Sequence, residues 1–286
     1  MGDAAPADGG IDHGLFGPRS VTWRMHLEPV LFVAGMRALL LQSLHPRVMR
    51  ATFQNSALFD PRKAYPRFLR TVEFVETRTF GTLAEVERAA ARVRGLHAKL
   101  RGYDPDTGRY FRIDEPSGLL WVHCAEIDSY VDVGRRAGIV GDADADTYVA
   151  ENVRAAEILG LDPAIVPASR AELAAYFRRV RPELRMTDEA RRGVGGLLQP
   201  RGDAPSSVKL AISTVAAAAV ATLPRWARRI YGLPGLPTTD LGTALTLRAA
   251  RPAVRMLLPE SSAPPRMQEA RRQIRAAALA DLGRAS

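Results

Sequence analysis

The sequence predicts an all-α fold, a single multi-helix domain, on two observations. Strand signals are scarce, because no hairpin dipeptide separates alternating apolar runs and no β-branched run has strand spacing. Helix boundary signals recur along the chain as prolines at first helical positions, capping boxes and terminating glycines. The 286 residues, 47% of them hydrophobic, are enough to build a large core, and they exclude disorder of the whole chain.

The first long helix is expected to be central and buried. Pro29 suits a first helical position, and the following residues are almost wholly apolar until His45. Pro46 disfavours a continuing helix and is expected to start the next one. Another helix is predicted from about 66 to 80, closed by Gly81.

Two further helices are expected to place histidines on buried faces. Thr82 and Glu85 form a T-x-x-E capping box, so a helix is predicted from there to Gly102. Its apolar face holds Val86, Ala90, Val93, His97 and Leu100. Pro116 opens the next helix, whose inward stripe is Leu119, Leu120, His123, Ile127 and Val131.

The rest of the chain is also predicted to be helical. Helices are expected at about 142–159, from the capping box at Ser169, and at about 187–198, 206–222, 224–231, 239–257 and 265–283. Residues 1–18 are expected to form a flexible arm, 19–260 the main domain and 261–286 a C-terminal helix or tail. The Gly-, Pro- and Ser-rich tract 193–207 is expected to be a hinge or surface loop.

Composition narrows the partners and the location. The net charge of +9 comes almost entirely from arginine and permits weak association with an anionic membrane surface. The arginines are interleaved with acids, so they indicate solvated helix faces and no nucleic-acid partner. A single cysteine, Cys124, excludes a disulfide framework and favours a reducing compartment. The start of the chain lacks a signal-peptide pattern, which predicts a cytoplasmic protein, and the apolar run 210–223 is too short to span a membrane.

Three histidines are candidate ligands. His45 lies at a helix end, and His97 and His123 lie on predicted apolar faces. Neutral imidazole is a common ligand of transition metals and haem iron. The alternatives are histidines hydrogen-bonded in the core and a non-haem metal site completed by a carboxylate such as Glu126.

A polar group on the helix at 66–80 is a second candidate. Arg67, Arg70 and Thr71 are spaced i, i+3 and i+4, so they share one helix face. They could bind a propionate, another carboxylate or an activated oxygen. The alternative is a surface salt bridge with Glu73 or Glu76.

Five short motifs in order resemble the MpaB-like oxygenase family, which shares its catalytic domain with the latex-clearing rubber oxygenases. They are L-x-x-L-H-P at 41–46, R-x-x-R-T at 67–71, F-G-T at 80–82, H-A-x-L-R-G at 97–102 and W-V-H at 121–123. The stretch P-A-S-R-A-E-L-A-A-Y-F at 167–177 is also typical of the family. The resemblance covers roughly residues 15–260.

The resemblance implies a globin-like helical core, a haem b cofactor with its iron, and dioxygen-dependent cleavage of a small apolar substrate. It makes His97 the proximal iron ligand. The cluster Arg67, Arg70 and Thr71 becomes the polar wall of the haem pocket. His123 and His45 match recurrent family histidines, either of which could be a second ligand or bind a propionate.

One departure from the family and two alternatives bear on this assignment. Latex-clearing members can have a lysine near the iron where this chain has Arg70, and arginine is a poor iron ligand. A lysine-capped closed state is therefore not expected. Glu126 and Asp128 are candidates for orienting an imidazole N–H.

The alternative functions are a haem-binding sensor or carrier without catalysis, ligated by His97 and His123, and a non-haem metal enzyme. The oligomeric state is not predicted.

Overall fold

A computed structural model describes residues 11–60, 62–199, 205–234 and 236–285. The described chain is predominantly helical with one small antiparallel sheet, which confirms the predicted all-α class. The α-helices, α1 to α14 in chain order, are Val21–His26, Phe32–Gln42, Pro46–Asn55, Ala64–Phe80, Leu83–Lys99, Pro116–Arg136, Asp142–Glu151, Val153–Glu157, Arg170–Val180, Asp188–Leu198, Ser206–Thr222, Arg225–Ile230, Pro237–Leu257 and Pro265–Ala285. The strands β1 and β2 are Arg101–Asp104 and Arg109–Arg112, and short 3-10 turns include Pro29–Leu31.

Helix α2 is the centre of the core, as its apolar composition predicts. It packs against α6 and α11, and its Leu40 and Leu41 are completely buried. Trp121 and Cys124 of α6 are buried in the same cluster. A helix that is apolar on all sides is stable only when surrounded by other elements, and these two neighbours supply that cover.

A buried arginine links these three helices. Arg37 of α2 donates from Nη1 to Asp128 Oδ2 and Ser129 Oγ of α6, at 2.8 Å each. Its Nε donates to the carbonyl oxygen of Thr222, at the end of α11, at 3.2 Å. The planar guanidinium has enough donors to satisfy groups from two directions at once.

The sheet corrects the prediction that the helix continues to Gly102. Helix α5 ends at Lys99, and β1 and β2 form a hairpin whose turn includes Gly108 at φ +67°. Gly102 pairs with Phe111, and a Cβ on Gly102 would collide with the Phe111 ring. The hairpin is fixed to α3, since Gln54 hydrogen-bonds both backbone groups of Tyr103.

The predicted helix 142–159 is two helices, because Asn152 interrupts it. The buried side-chain amide of Asn152 donates to Thr22 Oγ1 at 3.1 Å and to the Tyr148 carbonyl at 2.9 Å. A bond to a distant element competes with regular helix geometry at this position. The break therefore ties α7 and α8 to α1.

Residues 16–27 and helix α14 pack together on a second apolar cluster. It is formed by Trp23, Leu27 and Ala270, with Phe16, Phe80, Met267 and Ile274 around them. Residues 11–18 of the predicted arm therefore pack on the domain, and His13 Nδ1 lies 3.0 Å from Gln273 Oε1 of α14. Residues 1–10 lie outside the described part.

The tract 193–207 and the apolar run 210–223 were the two other segments of interest. The first part of the tract belongs to α10, while residues 200–204 are outside the described residues. The apolar run is mostly α11, with Ala216 and Ala219 buried against the core. Within the described ranges, no helix combines the length and apolar character needed to cross a membrane.

Replacing Arg37 by Met tests its role as the link between α2, α6 and α11. We expect the free energy of unfolding to fall by about 3 kcal/mol, because the Asp128 carboxylate loses its cation in a largely buried place. Urea denaturation followed by circular dichroism measures the change. The control is Arg24→Met, which removes the exposed Arg24–Asp144 pair and should cost less than about 1 kcal/mol. Equal losses in the two variants would contradict the assigned role.

Candidate functional site

The candidate residues are positioned by the hairpin of helices α4 and α5. Gly81 ends α4, and the Thr82 hydroxyl accepts from the backbone N–H of Glu85. The Glu85 carboxylate in turn accepts from the backbone N–H of Thr82 at 2.9 Å, which completes the predicted capping box. The two helices pack against each other as antiparallel neighbours. The N-terminal end of α4 is thereby placed beside the C-terminal end of α5.

His97 lies in the last turn of α5 and faces two charged groups. It is half-buried, with Arg67 of α4 and Asp114 nearby. Burial lowers the pKa of His97; Asp114 opposes this effect and Arg67 adds to it. Among the described residues, neither ring nitrogen has a hydrogen-bond partner. His97 is therefore a neutral imidazole at pH 7, and its ring nitrogen has a lone pair that can bind a metal ion.

The predicted polar cluster on α4 forms beside His97. Arg67 is half-buried and donates from Nη1 to Thr71 Oγ1 at 2.6 Å, while Arg70 and Thr71 are exposed. Burial lowers the pKa of Arg67, and the nearby charge of Arg70 adds to this effect. Neither arginine forms an ion pair within the described chain, so the alternative of a salt bridge with Glu73 or Glu76 does not form. Two adjacent unpaired guanidinium groups favour binding of an anion.

The apolar side chains around this cluster are only partly covered. Phe68 and Val72 of α4 are half-buried, as are Val93 and Leu100 of α5. Val86 and Ala90, the first two residues of the predicted apolar face of α5, are completely buried. Cover therefore decreases along α5 from its start toward His97, and this end of the hairpin combines partly exposed apolar surface with unpaired cations.

His123 lies in a different environment, on α6 beside a buried ion pair. Arg78, near the end of α4, bonds Glu126 of α6 through two contacts of 2.5 and 3.2 Å. Burial lowers the pKa of His123 to about 4. The charge of Glu126 opposes this lowering, and the charge of Arg78 adds to it. Glu126, expected as an imidazole partner, bonds Arg78 and makes no hydrogen bond to His123 in the described structure.

A cluster next to this ion pair was not identified from the sequence. His26 Nε2 lies 3.0 Å from the Tyr148 hydroxyl, and the His26 ring stacks on Tyr130 with centroids 4.4 Å apart. Burial lowers the pKa of His26 to about 3, with Arg78 adding to the effect. The sequence offered one signal for this cluster. Arg78 follows Thr71 by seven residues, so it lies on the same face of α4 as the predicted polar cluster.

His45 and Asp128 have surroundings different from those of His97. His45 precedes α3, its Nε2 lies 3.8 Å from Glu183, and its buried Nδ1 has no partner in the described chain. Its ring lies beside Trp121, and none of these neighbours is a neighbour of His97. Asp128 binds Arg37 and does not orient an imidazole.

The non-haem metal alternative finds no support in this arrangement. Among the residues that the structure describes, no group of three or more His, Cys, Asp or Glu side chains is arranged to hold a metal ion. His45, His97 and His123 each have different neighbours. Of these three histidines, only His97 could therefore be a ligand of a metal bound at its position.

The His123 environment predicts a pH effect on stability. The unfolded chain has an ordinary histidine pKa of 6.5, against about 4 in the fold, so between these values the unfolded state binds more protons. The contribution of neutral, buried His123 to the free energy of unfolding is fully present above pH 6.5 and is lost as the pH falls toward 4. An NMR titration of the His123 ring, assigned with His123→Gln, should show a neutral imidazole down to about pH 4. A midpoint near 6.5 would contradict the burial argument.

Comparison with known proteins gives one match. A family model described as "ER-bound oxygenase mpaB/B'/Rubber oxygenase, catalytic domain" matches residues 23–256. This span includes the α4–α5 hairpin and all of α6. Neither the comparison with curated proteins nor that with solved structures gave a match. Because the match extends over most of the chain, the protein belongs to the mpaB and rubber oxygenase catalytic-domain family, a family of oxygenase enzymes.

Proposed function

We propose that this protein is a haem-b-dependent oxygenase that uses dioxygen to oxidise a small apolar substrate, with His97 as the iron ligand. Membership of the oxygenase family supports the reaction class. The observation that carries the cofactor is His97, a neutral imidazole without a hydrogen-bond partner in the described chain, close to Arg67.

The residues at this end of the hairpin fit a haem group in three respects. His97 offers a neutral nitrogen donor, which is the usual protein ligand of a haem iron in oxygen-binding proteins. The half-buried Phe68, Val72 and Val93 offer apolar contacts. The unpaired guanidinium groups of Arg67 and Arg70 match carboxylates such as the haem propionates. When bound, the haem iron supplies the binding and activation of dioxygen.

The side chains of α4 would orient the polar groups of the bound molecules. Thr71 Oγ1 accepts from Arg67 Nη1 at 2.6 Å and donates to the Arg67 carbonyl oxygen at 3.4 Å, so its second lone pair is left to accept from a bound molecule. Arg70 remains protonated and acts as a hydrogen-bond donor and positive charge, not as an iron ligand. The partly exposed apolar surface around His97 supports an apolar substrate.

The histidines on other elements have lesser parts in the proposal. The sensor or carrier alternative needs His123 as a second ligand; His123 is neutral at pH 7, but its charged neighbours are Glu126 and Arg78, not those of His97, so the arrangement does not favour this alternative. His45 has no neighbour in common with His97, and we assign it no part in the site. A cytoplasmic location stays a prediction, supported by the single cysteine, Cys124, which is buried and free.

Haem titration of the purified protein tests the ligand. We expect a Soret band with about one haem b per chain, by pyridine haemochrome, and loss of haem retention in His97→Ala with helical content unchanged. His123→Ala and His45→Ala should retain haem. The matched control is His13→Ala, since His13 pairs with Gln273 of α14 and lies outside the hairpin.

Two outcomes would contradict this assignment. Full haem occupancy in His97→Ala together with its loss in His123→Ala would move the ligand to α6. Absence of a Soret band after haem addition would remove haem from the proposal altogether. Reduction with dithionite followed by carbon monoxide separates the oxygenase from the sensor, because a site closed by two histidines should not bind carbon monoxide readily.

Arg70→Ala tests the polar wall. We expect dioxygen consumption by the haem-loaded protein, assayed with a panel of apolar alkenes, to fall about tenfold or more, while haem affinity changes less. The reason is that Arg70 carries an unpaired, exposed guanidinium beside Thr71, free to donate to an oxygen atom. Arg62→Ala, an exposed arginine just before α4, is the control. Equal rates in Arg70→Ala and the control would show that Arg70 has no part in the reaction.

A further inference from the structure

Helix α13 presents a continuous apolar stripe on the outside of the protein. Its members are spaced four, four, three and four residues apart, which places them on one helix face: Leu241, Leu245, Ala249, Pro252 and Met256. All of them are exposed, with Leu245 58% and Met256 78% accessible. At 1.5 Å per residue the stripe is about 22 Å long.

The opposite face of α13 is anchored in the fold, so the stripe keeps its direction. Leu247 is buried in the main core. Arg251 binds Glu28 through contacts of 2.7 and 3.2 Å. At the edge of the stripe, Arg248 donates to the carbonyl oxygen of Arg136, at the end of α6, at 3.1 Å. Leu257 and Leu258, which are also exposed, extend the apolar surface past the stripe.

The stripe lies in a basic part of the chain. Residues 205–258 contain Asp240 as their single acid and seven cationic residues, namely Lys209, Arg225, Arg228, Arg229, Arg248, Arg251 and Arg255. Asp240 is bound by Arg225 and Arg228 at 3.0 and 2.8 Å. Arg248 and Arg255 flank the stripe on one side, at helix positions next to its members. Arg255 lies 3.5 Å from Glu28 Oε1, which it shares with Arg251, and about half of its side chain is exposed.

We propose that the stripe with its flanking arginines, the α13 surface, docks on an anionic lipid membrane surface. A helix in this orientation inserts its leucine and methionine side chains at the boundary of the acyl chains. The flanking arginines, whose contacts in the fold are one backbone carbonyl and one shared carboxylate, then place positive charge at the level of the phosphate headgroups, where each strengthens binding about fivefold. Neither the apolar contact nor the charge contact depends on the haem proposal.

Charge favours a membrane over a second copy of the chain as the occupant. A dimer through the α13 surface would bring together two regions that each carry an excess of cations. Like charges at a desolvated interface oppose association. Anionic lipid offers the opposite charge together with an apolar phase, so it satisfies both features of the surface.

Vesicle sedimentation with the full-length protein tests the docking. We expect binding to phosphatidylcholine vesicles that contain phosphatidylglycerol to be at least about tenfold tighter than binding to phosphatidylcholine alone, and to weaken with added salt. Arg255→Gln should weaken it about fivefold. Glu28 keeps its bond to Arg251 in this variant.

The double variant Leu245→Gln with Met256→Gln removes the apolar contact. We expect its affinity for the anionic vesicles to fall about tenfold or more. The matched control is Leu279→Gln with Leu282→Gln on α14, since both of these leucines are 69% exposed and lie outside the stripe. Circular dichroism verifies that both variants are folded.

Three results would overturn the proposal. One is no binding of wild-type protein to anionic vesicles, and another is an equal loss of binding in the stripe and control variants. The third is a dimer, by light scattering, that the stripe variant dissociates while vesicle binding is absent. That last result would assign the α13 surface to a second copy.

Discussion

The ion pair between Arg78 and Glu126 fixes the register of α4 on the core. It joins the end of α4 to the middle of α6 by two hydrogen bonds, and the Arg78 side chain is almost completely buried. Removing one partner of such a pair is costly, because the other charge stays buried without compensation. Since Arg67, Thr71 and Arg78 share one face of α4, rotation of the helix at Arg78 would move the other two away from His97.

The α4–α5 hairpin therefore has one end anchored in the core and one partly open end. At the anchored end, burial holds His26 and His123 neutral and the polar groups bind one another. At the open end, His97 has no hydrogen-bond partner, and the guanidinium groups of Arg67 and Arg70 have no carboxylate partner within the described chain. A functional site needs unsatisfied groups in fixed positions, and the anchored end supplies the rigidity that makes this possible.

Local signals in the sequence predicted the helices and the cluster on α4, because caps and i+3 or i+4 spacing act within one element. The capping box of Thr82 and the shared face of Arg67 and Thr71 are of this kind. What depends on distant partners was not predicted. The bond from Asn152 to Thr22 splits a helix, and Phe111 packs over Gly102 in a hairpin without a standard turn dipeptide. The Arg78–Glu126 pair likewise joins residues far apart in the chain.

The use of arginine separates structure from function in this protein. The composition suggested solvated helix faces, yet Arg37, Arg78 and Arg228 are each buried and bound to carboxylates. Their planar groups, with five donors, can satisfy acceptors on several elements, which a lysine could not do from one position. A buried arginine whose charge is neutralised by a carboxylate has little attraction left for another anion. The arginines that retain capacity are those without an acid partner, and Arg67 and Arg70 belong to this class. Pairing therefore distinguishes the buried cations that hold the fold together from the two at the open end of the α4–α5 hairpin that are available to a bound anion.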